Sequence, residues 1–133
     1  MAHQLSKAMM YKDYRAYNRL YFKNKLPPAE LYFVDQRNPI MKTLASKSEI
    51  LAWERDAIAE TASWVPSDPK TPTQHEIRFA RMFRRLTGRA IFRIVLLHEM
   101  IHMRFRGYRA QHGPRFQKEK RRLILDGAFD DLL

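Results

Sequence analysis

The 133-residue sequence contains no cysteine, which excludes disulfides and cysteine-based zinc ribbons and removes thiols as a guide to compartment. It also lacks any apolar run near the ~20 residues of a membrane span, and Met1 to Lys12 holds no apolar stretch of signal-peptide length. These absences predict a soluble, intracellular protein, cytoplasmic or nucleoid-associated, with no membrane partner. Acidic residues are scarce, with 14 Asp/Glu against 25 Lys/Arg and a net charge of +11. Hydrophobic residues make up 45% of the chain, so disorder is not indicated. The length suits a single domain, 1–133, with its core at about 5–125.

The charge is unevenly spread. Met1 to Pro69 carries 10 Lys/Arg against 8 Asp/Glu, net +2, whereas Lys70 to Leu133 carries 15 against 6, net +9. Arginine dominates the second half, and its planar fork suits bidentate contact with phosphate. Nucleic acid, as single-stranded DNA or a DNA junction, is the partner class this favours. Arg84, Arg85, Arg89, Arg104, Arg106 and Arg109 are the candidate contacts. The competing explanation is a solvated basic face that keeps the protein soluble or docks an acidic protein.

Within the same half lies His98-Glu99-Met100-Ile101-His102, set in the apolar run Ala90 to Met103. Two histidines four apart on a helix share a face, so His98 and His102 can reach one metal ion. Glu99 is rotated by about 100° and suits the general base that handles an attacking water without ligating the metal. Two satisfied core histidines and a salt-bridged glutamate are the plainer alternative. Burying all three polar groups in so apolar a helix costs several kcal/mol unless they are paired or hold a metal. Ten residues on, His112 sits at a loop-to-helix junction and can supply a third nitrogen. Three protein ligands leave zinc an open position, the arrangement of a catalytic site. His3 and His75 have no such context.

Coarse patterning supplies the rest. Leu5 to Lys23 reads as a helix with one row at Leu5, Ala8, Met9, Ala16 and Leu20 and a second at Met10, Tyr14, Tyr17 and Tyr21, ended by Asn24 and Pro27-Pro28. Glu30 to Asp35 reads as a strand, Ser46 to Arg55 as a possible short helix, and Ala57 to Val65 as a possible second strand. Gln74 to Phe83 alternates, with Ile77 and Phe79 on one side and Glu76, Arg78 and Ala80 on the other, which predicts a half-exposed edge strand. The motif helix should run to about Arg106. A last helix should start at Pro114 and reach about Leu125 with Phe116, Leu123 and Leu125 inward, ending at Gly127.

Three blocks in order carry a resemblance: Tyr17-Asn18-Arg19-Leu20-Tyr21-Phe22-Lys23-Asn24-Lys25-Leu26-Pro27, the His98 to His102 motif, and His112-Gly113-Pro114-Arg115-Phe116. The chain resembles the SprT-like (Spartan-type) zinc metalloprotease domain family from about Leu5 to Leu125. The resemblance implies an α+β, compact zincin-like domain with a small mixed sheet and a central His-Glu-x-x-His helix. It also implies Zn2+ held by His98, His102 and His112, with Glu99 as the catalytic base. A protein or peptide substrate would pair with the edge strand, here Ile77 and Phe79, and would be DNA-bound or DNA-crosslinked. Two departures are the short gap from His102 to His112 and the lack of a C-terminal zinc ribbon. The leading rival is a basic nucleic-acid-binding module with a structural or vestigial zinc site. A further one is a metalloprotease with a single protein target.

Overall fold

A computed structural model of the chain describes residues 5–33, 59–64, 70, 72–79, 89–105 and 112–132. In order these form helix α1 (Lys7–Tyr21), strands β1 (Glu30–Phe33), β2 (Ala59–Trp64) and β3 (Gln74–Phe79), and helices α2 (Ala90–Arg104) and α3 (Pro114–Leu125). The possible helix at Ser46 to Arg55 lies outside the described residues. Among them, no helix is long and apolar enough to cross a membrane.

Local chemistry sets the helix ends. Ser6 caps α1 by accepting the Met9 amide at 3.2 Å, an interaction worth about 1 kcal/mol. At the other end Lys23 and Asn24 turn left-handed, with φ of 53° and 58°, and the Asn24 amide bonds back to the Asn18 carbonyl at 2.9 Å. The Asn18 side chain then grips both the amide and the carbonyl of Leu26, at 3.1 and 3.0 Å. Pro114 opens α3 at the first turn, where its missing N–H costs nothing. Gly127, at φ 88°, closes it while the Ala128 amide reaches the Leu123 carbonyl at 3.0 Å, the Schellman pattern that needs a left-handed residue.

Of the two apolar rows on α1, the second faces inward. Met10 and Tyr14 are buried and Tyr17 and Tyr21 pack against the core, while Ala8 and Leu20 are exposed. The tyrosines also fasten β1: Tyr14 donates to the Pro27 carbonyl at 2.6 Å, and Tyr11 accepts the Leu31 amide at 2.9 Å. Buried between them is Asp13, which takes Arg89 at 2.8 Å and Arg93 at 3.1 Å. Its carboxylate ties α1 to the first turn of α2.

The sheet is mixed, in the order β1-β3-β2, with β1 parallel and β2 antiparallel to β3. This corrects the placing of Gln74 to Phe83 at an edge. β3 is the middle strand, its backbone paired on both sides, and Ile77 and Phe79 are fully buried in the core. They cannot receive a substrate strand. The other face of β3 is not half-exposed either, because Glu76 pairs with Arg78 at 3.2 Å and accepts from the Tyr32 hydroxyl at 2.8 Å. Pairing these polar groups with one another is what lets them be buried. On the core face, Leu31 lies beside Ile77 and Phe33 beside Phe79, and Phe79 meets Phe92 of α2 with ring centroids 5.0 Å apart. Leu125, expected inward, is exposed at the end of α3, whose inner face is Phe116, Glu119 and Leu123.

The Asp13 bridge has a measurable consequence. Asp13→Ala strands two half-buried guanidinium groups, and chemical denaturation should show a loss of about 2–3 kcal/mol. A change within about 0.5 kcal/mol of wild type would mean that α1 is held to α2 by apolar packing alone.

Candidate metal centre

Helix α2 is apolar on the side that meets the sheet, and Leu96, Leu97, Met100, Ile101 and Met103 are fully buried. His98 and His102 share its remaining face at half-exposed positions, one turn apart. Their Nε2 atoms stand 3.2 Å from each other. From two residues before α3, His112 brings its own Nε2 to 3.2 Å from that of His98, and ligand atoms of the three lie within 4.8 Å of one another. The short chain from His102 to His112 is thus long enough to turn back onto α2.

Phe116, one turn into α3, backs the cluster. Its ring centroid lies 4.8, 4.7 and 4.9 Å from those of His98, His102 and His112. This apolar wall also affects charge. Burial, then His112, then Lys120 push the His98 pKa down, and burial with the two neighbouring imidazoles brings that of His102 down to about 4. At neutral pH both rings are therefore neutral, with lone pairs free to donate. In a tetrahedral site with metal–nitrogen bonds of about 2.0–2.1 Å, adjacent nitrogens sit about 3.3 Å apart. The two spacings from His98, each 3.2 Å, fit, and the three histidines together could hold a metal ion.

Glu99 is buried and does not belong to that nitrogen set. Thr61 of β2 holds it, with Oγ1 3.1 Å from the Glu99 carbonyl and 3.3 Å from Oε1. The sheet register explains the contact: Thr61 lies opposite Ile77, so its side chain points to the core face on which α2 packs. Thr61 falls within the expected second strand at Ala57 to Val65, and nothing local in the sequence marks it as a partner of Glu99.

The remaining expected site residues divide. Arg84, Arg85, Arg106 and Arg109 lie outside the described residues, as does His3. Arg89 spends its guanidinium on Asp13 and the Met9 carbonyl, and Arg104 pairs with Glu119 at 2.9 Å. His75 is 2.8 Å from the Ser63 hydroxyl, away from the three-histidine group.

Three imidazoles converging on one point, with a held carboxylate beside them on an α+β scaffold, define a candidate metal-dependent hydrolase domain. The model of the SprT-like family matches residues 10–125, and the chain belongs to that family. Membership points to a metalloprotease-type domain. No curated protein matches the chain.

The lowered histidine pKa values give a pH prediction for the metal-free protein. The fold resists protons that the unfolded chain accepts near pH 6.5, so stability should be complete above that pH and fall as pH drops from about 6.5 towards 4. Thermal melting at pH 7 and pH 5 should show the fall, and His102→Gln should reduce it. A wild-type profile flat over this range would show that the imidazoles are not held neutral by the fold.

Proposed function

We propose that the chain is a zinc-dependent endopeptidase of zincin-like architecture that cuts DNA-bound or DNA-crosslinked proteins. The observation that carries the reading is the convergence of His98, His102 and His112, with His102 and His112 each 3.2 Å from His98 through their Nε2 atoms, and Glu99 on the same helix as two of them. A three-nitrogen imidazole set suits zinc. Zinc bound there supplies Lewis acidity, acidifying water and polarising a peptide carbonyl.

The remaining work falls to the chain's own groups. His98, His102 and His112 fix the ion, with Phe116 limiting the directions their rings can take. Glu99 accepts the proton of the attacking water and returns it to the leaving amine. Thr61 holds the Glu99 side chain, so less rotamer freedom is lost on reaching the reactive geometry. Among the described residues β2 pairs on one side only, with β3, and it packs directly against α2. An extended peptide added to that open edge would lie beside the motif helix. This moves the proposed substrate strand from Ile77 and Phe79 to β2.

The DNA-bound substrate class is supported by the +9 balance of Lys70 to Leu133. A basic surface concentrates nucleic acid and whatever protein is attached to it. A cleavage assay on a DNA-binding protein, with and without single-stranded DNA, tests the reading. Zinc-loaded wild type should cut, faster with DNA, and Glu99→Gln should bind zinc equally yet lose at least about a hundredfold in rate. If neither protein cuts while both bind zinc and DNA, the binding-module reading replaces the protease.

Thr61 provides a finer test. Thr61→Val should lower kcat about tenfold, the worth of one hydrogen bond, with little change in KM, while Thr61→Ser should keep most of the rate. Equal rates for Val and Ser would show that the hydroxyl does not position Glu99.

A further inference from the structure

A cleft of about 540 Å³ opens between the end of α1, the last turn of α2 and the Arg115–Arg122 side of α3. Six cationic side chains line it, Lys23, Lys25, Arg104, Arg115, Lys118 and Arg122, against the single carboxylate of Glu119. Asp126 pairs with Arg122 at 2.9 Å from outside the lining, so six cations against two carboxylates leave +4 around this space. Glu119 is buried and already engaged by Arg104 and Arg122, so it serves as the hub that joins the walls. Arg104 lies two residues beyond His102, about 200° around α2.

Its walls are built rather than incidental. Arg122 donates to the Tyr21 carbonyl at 2.6 Å and so fastens α3 to the end of α1. The turn that presents Lys23 and Lys25 is fixed by two left-handed residues and by the Asn18 grip on Leu26. Both lysines are exposed, as is Lys118. Tyr21 and Phe105, both partly exposed, also line the space, whereas Phe22 in the same lining is buried, and the Arg104 guanidinium sits 5.4 Å from the Phe105 ring centre. Cations set among aromatic rings match a ligand that alternates phosphates with flat bases.

We infer that this cleft binds the phosphate backbone of single-stranded nucleic acid, with bases packed on its aromatic side chains. A duplex keeps its bases stacked and offers only phosphates, leaving the aromatic part of the cleft unused. The inference rests on the reading above that the substrates are DNA-bound, and adds where the strand is held.

Fluorescence anisotropy with a labelled oligothymidylate tests it. Two triple variants are compared with wild type: Lys23→Glu, Lys25→Glu, Lys118→Glu in the cleft, and Lys7→Glu, Lys12→Glu, Arg15→Glu on exposed α1 positions outside the cleft lining. The cleft triple should lose at least about tenfold in affinity at low salt, and the α1 triple distinctly less, with wild-type binding weakening as salt rises. Thermal melting reports whether each variant folds, and the three cleft substitutions made singly preserve the test if the triple does not. Equal losses in both triples would show diffuse attraction and overturn the cleft as a site. Tighter binding to duplex, or binding to phosphatidylserine vesicles without oligonucleotide binding, would overturn the single-strand assignment. Because the assay reads binding alone, an inactive peptidase can pass it and an active one can fail it.

Discussion

The Phe116 ring is the contact on which the arrangement depends. It touches all three imidazoles at centroid distances near van der Waals contact, and it does so from α3, while two of those imidazoles belong to α2. Its contact with His112 joins the segment before α3 to the two imidazoles of α2. Its apolar edge also raises the cost of an imidazolium, the physical basis of the depressed His98 and His102 pKa values. One side chain thus closes the helix pair, gathers the nitrogens and adds to the burial that lowers the His98 and His102 pKa values.

That contact works only because α2 is fixed from several other sides. Asp13 holds its first turn through Arg89 and Arg93, Phe79 packs against Phe92, and Glu119 holds its last turn through Arg104. Thr61 reaches its middle from β2. Each tether comes from a different element, so α2 has little freedom to rotate. Rotation is the motion that would separate His98 from His102's partner on α3, since a turn of the helix sweeps both side chains off Phe116 together.

The centre was legible in the sequence because its information is local. The spacing of His98, Glu99 and His102 is a helix property, Pro114 and Gly127 mark the ends of α3 by backbone chemistry, and Asn24 marks the end of α1. Sheet order is a different kind of fact. β1 pairs with a strand that begins more than forty residues later, and no local pattern states which strand lies in the middle. The alternation of Gln74 to Phe83 suggested an exposed side because Glu76 and Arg78 are charged. Their pairing with each other and with Tyr32 allows burial, and that partner lies 44 residues from Glu76. On α1 two apolar rows competed, and the buried Asp13 sits in the winning one, where a charge argues against burial until Arg89 and Arg93 are known to meet it.

Phe116 and Glu119 are one turn apart on α3, both buried, and they face different tasks. Phe116 gathers the histidines; Glu119 gathers Arg104 and Arg122 at the wall of the basic cleft. The same pair of helices therefore carries a neutral, nitrogen-rich centre on one side and a strongly cationic cleft on another. Charge on α3 already reaches the imidazoles, since Lys120 contributes to the lowered His98 pKa. Engaging Arg104 and Arg122 with a buried carboxylate fixes two of the cleft's cations in place. Coupling between the two sides would then pass through the α2–α3 contact, whose two fixed points are that ring and that carboxylate.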